Sequence, residues 1–210
     1  MTTTFDDIRS AAANGKGVTL IPFDNLRVKA AAVAGEVDRC KDNVSRWGYD
    51  LFEKQKDNLL KDKKTKLDAI KAKKDEIEDF KQKHKESNTS SFEDDQKKLE
   101  YELKSIDESI DKMNRDLEEG AEAWKRLWNA RGGLREIFDD VLKEVANVRS
   151  HASDYIGDKP EDKDKEIFEK ALSVIEGDIK DEVEEHKKQE DGAIGTEKKF
   201  RELIKKTTIS

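Results

Sequence analysis

From Phe92 to Tyr155 the chain can be stepped four and three residues at a time, and almost every landing is apolar. The landings are Phe92, Gln96, Leu99, Leu103, Ile106, Ile110, Met113, Leu117, Gly120, Trp124, Leu127, Arg131, Leu134, Phe138, Val141, Val145, Val148, Ala152 and Tyr155. Only Gln96, Gly120 and Arg131 interrupt the seam. This alternation is what a helix packed along another helix needs, and a strand would need period two instead. No proline lies between Phe23 and Lys159 to break it. The seam also keeps its phase across Gly132-Gly133, which a loop has no reason to do. The pair therefore predicts a weak point inside a helix ending near Gly157, costing about 1 kcal/mol per glycine relative to alanine.

A matching arm precedes it. Leu26, Ala30, Val33, Val37, Cys40, Val44, Trp47 and Leu51 fall on the same stepping. Leu59, Leu60, Leu67, Ile70, Ile77 and Phe80 then continue a stripe in another phase, with Lys63, Lys74 and Lys81 interrupting it. A phase change unwinds a supercoil locally without ending the helix. The pattern predicts one helix from an Asp24 N-cap to residue 86. Five small polar residues, Ser87-Asn88-Thr89-Ser90-Ser91, form a turn between the arms. Residues 53–86 hold 12 Lys/Arg and 9 Asp/Glu, and residues 92–123 hold 5 and 12, so the facing arms differ in sign. Opposite arms favour folding back over pairing of like arms. The expected fold is all-α: residues 23–157 form a long antiparallel two-helix coiled-coil hairpin with its tip at 87–91.

Residues 158–210 follow the breaker Gly157-Asp158-Lys159-Pro160. Phe168, Leu172, Ile175, Ile179 and Val183 mark one face of a helix over 161–190. Gly192-Ala193-Ile194-Gly195 loosens it, and Thr196 caps a short last helix with Phe200, Leu203 and Ile204. This C-terminal segment is expected to pack on the hairpin base as a third helix, among Trp47, Phe52, Trp124, Trp128, Phe138 and Tyr155. Residues 1–22 read as an N-terminal arm, with a short helix over 4–13 and an extended run Val18-Thr19-Leu20-Ile21.

Composition narrows the function classes. Of 210 residues 43% are charged, 34% hydrophobic and 7% aromatic, with one cysteine and three histidines. Such a chain is built like extended helical coiled coils rather than a wide globule. One cysteine excludes an internal disulfide framework and a four-cysteine zinc site. The start MTTTFDDIRS lacks the basic and apolar regions of a signal peptide, and no apolar run is long enough to span a bilayer. The expected location is the cytoplasm.

Candidate chemistry is sparse. A two-metal helical bundle needs Glu-x-x-His on two helices, yet Lys81, Val148 and Val183 stand three residues before His84, His151 and His186. Glu182, His186 and Glu190 share one helix face, as charged residues on a solvated face also do. Asn14-Gly15-Lys16-Gly17 lacks the spacing and the Ser/Thr of a phosphate loop. Cys40 falls on the core stripe, where a thiol without a basic neighbour is inert. Lys61-Asp62-Lys63-Lys64-Thr65-Lys66 and Lys71-Ala72-Lys73-Lys74 are basic but interrupted by acids or faced by an acidic arm, and a net charge of −7 opposes a polyanion. No catalytic, cofactor or metal residue is predicted.

What remains is an interaction protein. Interfaces draw their energy from a few aromatic and arginine residues, and these concentrate in Trp124-Lys125-Arg126-Leu127-Trp128-Asn129-Ala130-Arg131. Trp124, Trp128 and Arg131 are the candidate partner-binding residues, with packing inside the base as the competing role for Trp128. The expected function is a non-enzymatic scaffold with a protein partner and scope for homo-oligomers, without nucleic acid or direct membrane insertion. The alternative is the soluble subunit of an α-helical pore-forming toxin or secreted effector, joined to a membrane-active partner.

Overall fold

The computed structural model describes residues 21–83 and 89–207. The described residues hold five helices and no strand: α1 (Ile21–Val44), α2 (Tyr49–Lys83), α3 (Ser90–Ser150), α4 (Ala152–Ile156) and α5 (Asp162–Lys205). The all-α architecture of a helical hairpin and a base is as the seam requires. The expected N-terminal helix over 4–13, the extended run Val18-Leu20, and residues 87 and 88 of the tip lie outside the described residues. Ile21 begins α1.

The described chain forms two compact units. The base unit takes α1, α3 from Ala123, α4 and α5 up to Gly195. The hairpin unit takes residues 45–83 with α2, α3 up to Glu122, and α5 from Thr196.

In the base unit α1 and α5 both run antiparallel to α3. Val33 meets the backbone at Gly133, and Arg149 bonds Glu169 while Arg135 bonds Glu190. Leu127, Leu134, Phe138, Val141, Val145 and Val148 of α3 are all buried, as are Ala30 and Val37 of α1 and Leu172, Ile175 and Ile179 of α5. Helix α3 passes through Gly132-Gly133 unbroken. Neighbouring Leu134 and Phe138 are 0% and 1% exposed, and their burial at about 1.5–3 kcal/mol per large side chain outweighs the glycine penalty.

In the hairpin unit α2 and α3 are antiparallel. Lys63–Asp107 (2.8 Å), Lys66–Glu102, Lys73–Asp95 (3.6 Å) and Lys81–Glu93 (3.2 Å) pair successive levels. Leu60, Ile70 and Ile77 are buried in the seam. Phe80 and Phe92 meet with ring centres 5.2 Å apart, and the Lys73 ammonium lies over the Phe92 ring. Thr89, just ahead of α3, donates to Glu93 at 2.9 Å, which ties down the first turn.

Three expectations are corrected. The first helix does not run unbroken to residue 86; it stops at Val44 and restarts at Tyr49. Trp47 leaves the helical path to stack on Phe52 at 5.6 Å, and the Gly48 carbonyl accepts from the amides of Leu51 and Phe52 to open α2. Leu51, counted on the seam, is 59% exposed. The second arm ends at Ser150, and the short α4 carries the chain to Gly157, whose φ of 85° is left-handed backbone that suits glycine. The C-terminal segment is one helix from Asp162 to Lys205, with no break at Gly192–Gly195. Ala193, Phe200 and Leu203 are buried and hold that stretch helical.

The expected aromatic cluster is divided between the units. Trp47, Tyr49 and Phe52 gather around Phe200 in one. Trp124, Trp128 and Phe138 belong to the other.

Candidate functional site: two buried cations

Among the described residues, each unit encloses one lysine or arginine side chain. In the hairpin unit it is Lys56, 0% exposed on α2. Its ammonium donates to Asn114 Oδ1 (2.7 Å) on α3 and to the main-chain oxygens of Leu203 (2.5 Å) and Ile204 (2.9 Å) on α5. Those oxygens are among the last carbonyls of α5, at the negative end of its dipole, and the Leu203 oxygen also accepts from the Lys206 amide at 3.2 Å. Three donors meet three acceptors, so Lys56 caps α5 from the side. Burial, helped by the Lys206 ammonium, pulls the Lys56 pKa below the usual lysine value. Lys206 in turn bonds Asp57 at 2.7 Å, and Arg201 bonds Glu122 at 2.8 Å.

Close packing beside this clasp depends on Gly120. A Cβ there would stand 2.7 Å from the Phe200 ring and 3.1 Å from Trp47. Tyr49, edge-on to Phe200 and donating to Glu53 at 3.0 Å, has its pKa pushed up to about 12 by burial and by that bond.

In the base unit the enclosed cation is Arg131, 7% exposed. One guanidinium nitrogen donates to Gln189 Oε1, and Gln189 donates onward to Glu185. Arg131 Nε is buried with no hydrogen-bond partner. One turn on, Arg135 Nε bonds Glu190 at 3.1 Å. The Glu190 carboxylate lies over Gly132, where a Cβ would be 3.0 Å from its oxygen. The Gly132 step thus admits a carboxylate against the α3 backbone.

His186 of α5 completes this network, also 7% exposed. Its ring lies against Phe138 with centres 5.6 Å apart. Nε2 is 3.7 Å from Glu182, and Nδ1 is buried without a partner. Burial lowers its pKa. The surface face expected for Glu182, His186 and Glu190 is therefore corrected: His186 turns into the core, and Glu190 is engaged by Arg135. Among the described residues no cluster of three or more His, Cys, Asp or Glu side chains could hold a metal ion.

The candidate partner-binding residues fall into different environments. Arg131 is interior, held by Gln189. Trp124 is half-buried with its indole Nε1 buried and unbonded, and Trp128 is half-buried. Cys40 is partly exposed, and burial, then the charge of Glu36, pushes its thiol pKa up, away from the reactive thiolate. Asn14-Gly15-Lys16-Gly17 lies outside the described residues. A shallow depression lined by Asp181, Glu184, Glu185, Lys187, Lys188 and Asp191 is formed by α5 alone and opens to solvent.

Sequence reasoning missed Lys56 and the inward turn of His186. Both carried a positional signal. Lys56 stands four residues before Leu60 on the α2 stripe. His186 stands seven residues from Ile179 and seven from Ala193, both buried. No family model, curated protein or solved structure matches the chain.

Proposed function

We propose that the chain is a non-enzymatic α-helical scaffold, presenting a coiled-coil stalk and a packed base to a protein partner in the cytoplasm. The observation that carries this reading is where its polar chemistry goes. Lys63, Lys66, Lys73 and Lys81 pair with acids of the facing helix, and the enclosed Lys56 and Arg131, with the half-buried Arg135, bond neighbouring helices. The described charges are used to align helices rather than converging on a cavity that could hold a substrate. No described helix is long and apolar enough to cross a membrane, which favours the scaffold over the toxin or effector subunit. Trp124 and Trp128, half-buried on one stretch of α3, are the proposed anchors for the partner.

The test has two arms. Dye-loaded liposomes are mixed with the chain, alone and with the product of a neighbouring gene, and partner affinity is measured for wild type and Trp128→Ala. The expected result is no leakage, and an affinity loss of at least about 2 kcal/mol with an unchanged melting temperature. Leakage that depends on this chain overturns the scaffold. Affinity that falls only as the fold fails returns Trp128 to a packing role.

A further inference from the structure

The base unit contains two enclosed polar side chains with unmet bonding capacity, Arg131 and His186, next to an apolar core. We infer that they form an acid-sensitive lock, in which neutral His186 lets α5 pack on α3 and a protonated His186 loosens that contact. The inference goes beyond the scaffold reading and does not depend on it.

The argument begins with donors and acceptors. A neutral imidazole carries one N–H, while an imidazolium carries two and no acceptor. Nε2 of His186 lies 3.7 Å from the Glu182 carboxylate, while Nδ1 has no partner. Protonation therefore strands one charged donor in the core, where an unpaired polar group is costly. The ring also lies against that of Phe138, an apolar neighbour.

The charges facing the ring come from all three helices. From α5, Glu182 and Glu185 favour the imidazolium. From α3, Arg131 opposes it, and from α1 Lys41 opposes it too. Arg131 cannot relieve the conflict by losing its proton, since guanidinium stays charged. Nor is Glu185 wholly available, because it already accepts from Gln189, which accepts from Arg131. Burial outweighs the two acids, so the histidine is harder to protonate when folded. The sign follows by linkage. The unfolded chain takes up the proton near the ordinary histidine value of about 6.5. The folded chain does so only at lower pH. Stability of the base is thus intact above about pH 6.5 and falls as the pH drops through the folded value.

The experiment is amide hydrogen exchange over α5 residues 168–190 in the full chain, at pH 7.5 and 5.5, corrected for intrinsic exchange. Wild type should exchange several-fold faster at the lower pH, toward the ceiling of about tenfold that one histidine can supply over this interval, and His186→Gln less than twofold faster. Equal acceleration in both proteins overturns the lock. If His186→Gln does not fold, a wild-type NMR titration of the His186 ring decides. A midpoint clearly below 6.5 supports the proposal, and one at or above 6.5 overturns it.

Discussion

Lys56 in the hairpin unit and Arg131 in the base unit are both shut from solvent, yet their surroundings treat them differently. Lys56 has an acceptor for each of its three protons, two of them helix-end carbonyls. Arg131 has an amide partner on one nitrogen and none on Nε. Enclosing a charge costs several kcal/mol before any bond is counted. The comparison teaches that the count of met bonds decides whether such a charge fastens a fold or leaves it adjustable. In the hairpin unit the cation fastens; in the base it sits beside a titratable ring.

The sharpest way to break this contrast is to replace each cation by methionine and measure urea unfolding of the full chain. Lys56→Met takes the ammonium from the Ile204 carbonyl and the Asn114 amide oxygen and leaves Leu203 only the Lys206 amide, and should cost about 2–4 kcal/mol. Arg131→Met removes an incompletely bonded charge from an apolar site. It should stay within about 1 kcal/mol of wild type, or exceed it. Equal losses would mean that bond satisfaction does not separate the two sites.

A second pair of substitutions sharpens the comparison on one helix. Gly120 and Gly132 both lie in α3, and each is crowded by a neighbour from α5. At Gly120 the neighbour is the rigid, fully buried Phe200 ring, so Gly120→Ala should lose about 1–3 kcal/mol. At Gly132 it is the end of the flexible Glu190 side chain, which has room to shift. Gly132→Ala should be neutral or gain up to about 1 kcal/mol from helix propensity. Thermal unfolding of the two variants reads the difference, and the same sign for both would remove it.

The smallest effect belongs to the paired charges between α2 and α3. Lys66 and Glu102, about one-third exposed each, should show a coupling of no more than about 1 kcal/mol in a double-mutant cycle, smaller still in high salt. Their bond lowers the Glu102 pKa, but water screens the gain. A coupling near that expected for Lys56 would show that the exposed ladder, not the buried clasp, fastens the hairpin unit.

How much of this was legible depended on whether phase was followed. The passage of α3 through Gly132-Gly133 was readable because the four-three stepping continues onto Leu134 and Phe138. The same test was open for Gly192–Gly195. Leu172, Ile179, His186, Ala193 and Phe200 stand seven apart and are all buried, a continuous helical face that the glycines obscured. Trp47 and Leu51 misled in the opposite direction. Both are apolar and in step, but the helix stops at Val44 and restarts at Tyr49, with Trp47 between them stacked on Phe52. The candidate site was less legible. Arg131 was noticed as a break in the seam, but its partner Gln189 is set by the register of α5 against α3, which no single-chain pattern fixes. Lys56 and His186 were obscured by chemistry, since residue types usually found in water were placed there by default.

The spacing of the hairpin's contacts along the chain bears on the order in which it assembles. Lys81 and Glu93 are 12 residues apart, Lys66 and Glu102 36, Lys56 and Asn114 58, and Lys56 and Leu203 147. Closing a loop costs more entropy as the loop lengthens, though slowly, and contacts near in sequence form first. Each level of the ladder, once closed, shortens the loop left for the next. Folding of this unit is therefore a zipper that starts beside Phe80 and Phe92 and travels toward Lys56. The carbonyls of α5 arrive last, at a lysine whose neighbours are already in position.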